Sequence, residues 1–224
     1  LDHESAQFVI GEIVAALYYI HDLGFTYGDL KTENILITET GHIKLTDFGA
    51  CRAHSNSAKV LITSSAKNVL DQLRNGDYKD LKEEPRKVLE KVTDWSGMSL
   101  QKEIAADGEV VQEDNRIEGT IAYLPPEVVL GAIPTPAADV WALGCVLYQC
   151  LTGRPPLFAM DDEATRKKIV KFETSSNHSD ALFTQSHDRD LQDGAKKLIK
   201  KLMNPLLNER ITMFQTANDP FFDG

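Results

Sequence analysis

Residues 27–49, YGDLKTENILITETGHIKLTDFG, constrain what this chain can fold into more than any other stretch. Two short apolar runs, Ile35-Leu36-Ile37 and Ile43-Lys44-Leu45, flank a segment that contains Gly41. β-Branched runs on either side of a glycine-bearing turn predict a β-hairpin. A hairpin brings the chain back to where it began. The polar residues before it (Asp29, Lys31 and Asn34) therefore converge with Asp47, directly after it. Two carboxylates, an amide oxygen and an ammonium in one small volume suit phosphoryl transfer. Carboxylate and amide oxygens bind Mg²⁺, which completes its shell with water and substrate phosphates. A remaining carboxylate can take the proton of a hydroxyl nucleophile, and a lysine can neutralise charge on the moving group. Any one of these residues alone reads as a solvated surface charge. The spacing carries the argument.

That spacing, Asp29-Leu30-Lys31-Thr32-Glu33-Asn34 and then Asp47-Phe48-Gly49, resembles the catalytic loop and metal motif of eukaryotic protein kinases. Lysine two residues after the aspartate is the serine/threonine form. The resemblance implies that Asp29 is the catalytic base and Lys31 a phosphate contact. It makes Asn34 and Asp47 the ligands of Mg²⁺, held together with ATP. Leu36 would lie under the adenine, and Phe48 and Gly49 would complete the cofactor-binding set, with Phe48 helping to set the active alignment. Gly119-Thr120-Ile121-Ala122-Tyr123-Leu124-Pro125-Pro126-Glu127 matches the segment that closes the family's activation loop. By resemblance, Thr120 would hydrogen-bond Asp29 and Lys31, and the residues after it would form a shelf for the peptide substrate.

Residues 137–151 are apolar on nearly every face, the mark of a helix buried all round. Asp139 is its one charge, and a buried carboxylate needs partners. The family places an aspartate here under the catalytic loop, and pairs the counterparts of Glu127 and Arg210 as a buried ion pair. Asp139, Glu127 and Arg210 are accordingly expected to be structural. Asn218-Asp219-Pro220-Phe221-Phe222 resembles the end of an AGC-group catalytic domain, and residues 141–149 look like the phosphoinositide-dependent branch of that group. Gln149 stands where many basophilic members carry glutamate, which argues against an arginine-directed peptide preference. Tyr27 in the histidine place is common in the group. Gly28 in the arginine place is a departure, because that arginine normally pairs with a phosphate on the activation loop.

The fold expected is mainly α with one short β-hairpin, a kinase-like C-terminal lobe. Helices are expected over residues 6–21, 137–151 and 195–203. The domain would comprise residues 1–49 (helix, catalytic loop, metal motif), an insertion at 50–118, and a shelf with a helical subdomain at 119–224. The insertion carries 13 acidic and 11 basic residues, so it is nearly charge-balanced. Weak helical patterns span 66–74 and 81–92, with Pro85 interrupting the second. Neither a Gly-rich phosphate loop nor its partner lysine occurs, so an N-lobe upstream of Leu1 is the expected partner, besides a protein substrate with Ser or Thr.

Composition narrows the classes further. A net charge of −10 argues against nucleic acid as the main partner. No apolar run is long enough to span a bilayer. Three cysteines without metal-ligand spacing point to a reducing compartment, the cytoplasm or the nucleus. Two other classes share some of these features. A catalytically inactive kinase-fold binding module usually lacks a metal ligand or the base, and all are present here. A small-molecule phosphotransferase has a loop similar to Tyr27-Gly28-Asp29 but lacks the segment around Thr120.

Overall fold

The computed structural model describes residues 1–55, 121–174, 182–184, 188 and 191–223. The helical patterns expected at 66–74 and 81–92, and Thr120, lie outside the described residues. The chain divides into two units, Leu1–Arg52 with Ile117–Gly224, and Ala53–Arg116. Asp29, Asn34, Asp47 and the shelf residues all belong to the first.

Helix α1 (His3–Asp22) begins three residues earlier than its apolar periodicity suggests. Asp2 is the reason: its carboxylate accepts from the Ser5 N–H at 2.8 Å and caps the first turn. Ala6, Ile10, Ile13, Val14 and Leu17 form the buried stripe. The helix stops at Leu23 and the left-handed Gly24, and the two-residue strand β1 (Phe25–Thr26) leads into the loop that carries Asp29. The hairpin pairs β2 (Ile35–Ile37) with β3 (Ile43–Leu45), antiparallel, with Ile35 opposite Leu45 and Ile37 opposite Ile43.

After the shelf come α2 (Pro126–Val129), α3 (Pro136–Thr152), α4 (Asp162–Glu173), α5 (Asp193–Leu202) and α6 (Met213–Ala217). Helix α3 starts on a proline and ends at Gly153 in the left-handed region, the two residue types that best delimit a helix. Every residue of α3 from 138 to 148 is buried. It is the axle of the lobe, packed between α1 and α5. The approach to α5 is close enough that a Cβ on Gly144 would meet Met203 Cγ at 2.6 Å. Helix α5 supplies the matching face with Ala195, Leu198, Ile199 and Leu202. Among the described residues, no helix is long and apolar enough to cross a membrane.

One polar strap fastens the hairpin to α1. Glu12 accepts from the backbone N–H of Ile43 at 2.7 Å and from His42 Nδ1. Those hydrogen bonds, Ile43's first, hold the Glu12 carboxyl below its ordinary value of 4.5. A depressed pKa contributes stability above the unfolded value and loses it as pH falls through the folded one. Glu12→Gln is therefore expected to lower the melting temperature at neutral pH. The gap to wild type should close in acid, below the ordinary carboxyl range. Paired thermal melts over a pH series check this, and a gap that persists in acid would mean that the charge is not what matters.

Candidate active site

The loop that carries Asp29 is held from below. Asp139, in the first turn of α3, is 1% exposed. Its Oδ2 accepts from the Tyr27 N–H at 2.8 Å and pairs with His21 Nε2 at 2.7 Å, while Oδ1 accepts from the Gly28 N–H at 2.8 Å. Tyr27 is itself wholly buried. Its hydroxyl donates to the Thr46 carbonyl, and its ring meets Phe48 edge-on with centroids 5.3 Å apart. Burial pushes the Tyr27 phenol far above its ordinary range, and the negative charges of Asp29 and Asp47 push in the same direction. It is a neutral donor at any working pH.

Three of the polar residues expected to converge are in direct contact. Asp29 Oδ2 accepts from Lys31 Nζ at 2.6 Å and from Asn34 Nδ2 at 2.9 Å, and Nδ2 also donates to the Asp29 carbonyl at 2.9 Å. The Asp29 and Lys31 side chains are only 12% and 19% exposed. A 3₁₀ turn, Thr32–Asn34, sets the spacing that lets Asn34 reach back to Asp29. Asp47 arrives by another route. The Thr46 N–H donates to the Asn34 carbonyl at 3.0 Å, one step beyond the hairpin ladder, and Asp47 follows. Asp47 is exposed and adopts φ 54°, unusual for any residue but glycine, with Oδ1 accepting from the Gly49 N–H at 3.2 Å. Phe48 and Leu36 are 39% and 53% exposed.

The shelf is fixed by Arg210, whose side chain is fully buried. Its guanidinium grips Glu127 through two hydrogen bonds, at 2.6 and 2.9 Å, and also donates to the carbonyls of Ala137 (3.0 Å) and Asn204 (2.8 Å). It lies 5.1 Å from the ring centre of Trp141. These contacts join α2, the start of α3 and the loop before Arg210.

Two residues that the sequence marks only by what they replace make contacts it did not foretell. Gln149 donates to Thr32 Oγ1 at 3.3 Å and accepts from the Tyr123 hydroxyl at 2.5 Å, tying the catalytic loop to the shelf. No local pattern connects those three positions. Gly28 has φ +83°, and a Cβ there would stand 2.7 Å from the Ala50 carbonyl oxygen. The glycine thus has a backbone role in addition to the missing arginine.

The donor set fits Mg²⁺. Both Asn34 Nδ2 hydrogens are committed to Asp29, which leaves the amide oxygen as the atom for a cation. Asp47 offers an exposed carboxylate nearby. Among the described residues no group of three or more His, Cys, Asp or Glu is placed to hold a metal.

With this geometry in place, the comparison with known proteins decides the family: residues 1–70 and 79–222 match the protein kinase domain. The chain belongs to the protein kinase family. Similar curated kinases include the serine/threonine-protein kinase WAG2 of Arabidopsis thaliana, 32% identical over 99% of this chain and 44% of its own length. The serine/threonine-protein kinase PDK1 of Cryptococcus neoformans is 31% identical over 99% of the chain and 13% of its own length. The 3-phosphoinositide-dependent protein kinase 1 of Caenorhabditis elegans is 26% identical over 99% and 31%. The kinase chain thus spans less than half the length of these relatives.

Removing one partner of a buried ion pair strands the other charge and costs about 3–5 kcal/mol. Arg210→Ala is expected to lose about that much stability, seen as a lower melting temperature, with activity falling alongside. The double variant Arg210→Met, Glu127→Leu should recover much of the stability. Calorimetry on the three proteins checks this. Unchanged thermal stability of Arg210→Ala would remove Arg210 from the scaffold.

Proposed function

We propose that this chain is the catalytic-loop and peptide-binding lobe of a serine/threonine protein kinase that moves the γ-phosphate of ATP to a protein hydroxyl. The Asp29–Lys31–Asn34 cluster carries the reading. One carboxylate oxygen, Oδ2, receives both the ammonium and the amide, at 2.6 and 2.9 Å. Oδ1 is then the oxygen that faces an incoming hydroxyl. When bound, ATP would supply the phosphoryl group, with ADP as the leaving group, and Mg²⁺ would offset the charge on the phosphate oxygens. Asn34, through its amide oxygen, and Asp47 would hold the metal. Asp29 orients the Ser or Thr hydroxyl and takes its proton at Oδ1 as the oxygen attacks phosphorus. Lys31, anchored on Asp29, sets its ammonium where charge develops on the transferred group. Thr120, outside the described residues, would complete the link between shelf and loop.

Leu124, Pro125 and Val128 close on Asp29 with only about 10 Å³ of space among them, so the shelf packs directly onto the loop that carries the proposed base. Gln149, engaged by Thr32 and Tyr123, brings no carboxylate to that surface, so an arginine-directed preference is not expected. Leu36 is 53% exposed, free to lie under the adenine, and an N-lobe upstream of Leu1 would roof the nucleotide. The similarity to phosphoinositide-dependent kinases supports an AGC-like assignment. The three free cysteines support a reducing compartment, the cytoplasm or nucleus.

In the full-length protein, Asp29→Asn is expected to lower turnover on a protein substrate by about 10²–10⁴-fold, the usual worth of a general base. Mg-ATP affinity should stay near wild type. Single-turnover phosphate transfer together with a nucleotide titration tests both halves. Near-wild-type transfer by the variant would refute the assignment of the base.

A further inference from the structure

We propose that Thr32 is a positioning residue for the protein substrate. With Gln149 and Tyr123, its hydroxyl forms a hydrogen-bonded joint that keeps the shelf in register with the loop that carries Asp29. This rests on the reading of Asp29 as the base and of the shelf as the peptide's seat, and adds what holds the two together.

Three side chains from distant parts of the chain meet in this joint. Thr32 opens the 3₁₀ turn Thr32–Asn34, Tyr123 ends the turn Ile121–Tyr123, and Gln149 lies near the end of α3. The Tyr123 hydroxyl donates to Gln149 Oε1 at 2.5 Å, and Gln149 Nε2 donates to Thr32 Oγ1 at 3.3 Å. Thr32 Oγ1 in turn donates to Glu33 Oε2 at 3.1 Å. The donors run one way, from the shelf through α3 to the loop, and each proton has its own acceptor. Tyr123 is 5% exposed, and burial pushes its phenol above the ordinary range, so it stays a donor.

Thr32 and Gln149 are matched to each other. A glutamine carries an acceptor and a donor at one end, and Tyr123 takes the acceptor. The amide is thereby turned with its N–H towards the loop, where an acceptor has to receive it. Thr32 does so and still has a proton to give to Glu33, an exposed carboxylate. A valine at 32, the same shape without the hydroxyl, would leave that N–H facing a methyl group. A glutamate at 149 could accept from Tyr123 but would have nothing to give to Thr32.

The joint ties both halves of the peptide site to the buried axle of the lobe. Thr32 heads the turn that returns Asn34 to Asp29, with Asn34 Nδ2 at 2.9 Å from Asp29 Oδ2. Tyr123 runs directly into Leu124 and Pro125, which close on Asp29. A peptide that places its hydroxyl at Asp29 and its neighbouring residues on the shelf needs both surfaces in one register. The groups assigned to nucleotide and metal, the side chains of Asn34, Leu36 and Asp47, take no part in the joint. Its loss therefore falls on the protein substrate and spares ATP.

The test is steady-state phosphate transfer by the full-length protein, with casein as the acceptor, for Thr32→Val, Thr32→Ser, Gln149→Met and the double variant Thr32→Val, Gln149→Met. Thr152→Val, which removes a hydroxyl from the end of α3 outside the joint, is the control. Thr32→Val is expected to raise the KM for casein by about 3–10-fold, the worth of one neutral hydrogen bond, and to leave the KM for ATP unchanged. Thr32→Ser should restore the wild-type KM, and Thr152→Val should not alter it. The double variant should be no worse than the worse single one, because both break the same joint. A wild-type KM for casein in Thr32→Val overturns the proposal, as does an equal rise in the KM for ATP, a serine no better than valine, or a double effect equal to the product of the single ones. If Thr32→Val does not fold, Gln149→Met carries the same test from the other side of the bond. Absence of phosphate transfer by the wild-type protein would instead defeat the kinase reading. Hydrogen exchange over residues 121–125 would then judge the joint, faster in Thr32→Val if it exists and unchanged if it does not.

Discussion

The site depends on one buried carboxylate. Asp139 is 1% exposed, and it accepts from two successive backbone N–H groups, those of Tyr27 and Gly28, and pairs with His21. A carboxylate taken out of water is costly unless its oxygens are occupied. Asp139 occupies them with the segment that leads directly to Asp29, the proposed base. The carboxylate is carried by α3, the most deeply buried helix of the lobe, so the loop inherits the rigidity of the core. Asp29 lies one residue beyond Gly28, and everything that reaches Asp29, from Lys31 to Asn34, is placed by that anchorage.

From this anchor the site is built by short-range reciprocity. Asp29 and Asn34 fix each other within the loop, and Asn34 in turn seats Thr46 at the end of the hairpin. Tyr27 reaches across to the same Thr46 from the other side. The result is a closed ring of contacts from α3 through the loop and hairpin and back to Tyr27, with Asp47 at its exposed edge. Arg210 does for the shelf what Asp139 does for the loop, using a buried charge to bind backbone carbonyls and one carboxylate. Both charges lie where neutral side chains would pack more cheaply. Their value is positional specificity, since a charge with a full set of partners tolerates few alternative arrangements.

Much of this was legible from residues whose signal is local. Ile35 to Ile37 and Ile43 to Leu45 give the hairpin away because short β-branched apolar runs read as strands and Gly41 marks the turn between them. Asp139 declares its need for partners because it is the one charge in an apolar helix. The early start of α1 was missed because Asp2 lies outside the apolar repeat, and a cap is set by one side chain. Glu12 reads as an ordinary charge on the polar face of α1, and nothing near it in sequence tells that it receives the N–H of Ile43. Arg210 and Glu127 are far apart in the chain and could be paired only through the family resemblance. Gly28 is the most instructive case. Sequence comparison registers the arginine that is absent, whereas the structure shows a carbonyl in the space any side chain would need. Close backbone approach is a tertiary fact and leaves no periodicity behind.

The central claim, that Asp139 is the anchor of the loop that carries Asp29, is open to direct measurement in the amide protons it binds. Residue-resolved hydrogen exchange should find the Tyr27 and Gly28 N–H groups as slowly exchanging as those of Val146 and Leu147 in the middle of α3, since both pairs would open only with the core. Exchange at Tyr27 and Gly28 as fast as at Gly41, in the turn of the hairpin, would contradict the account.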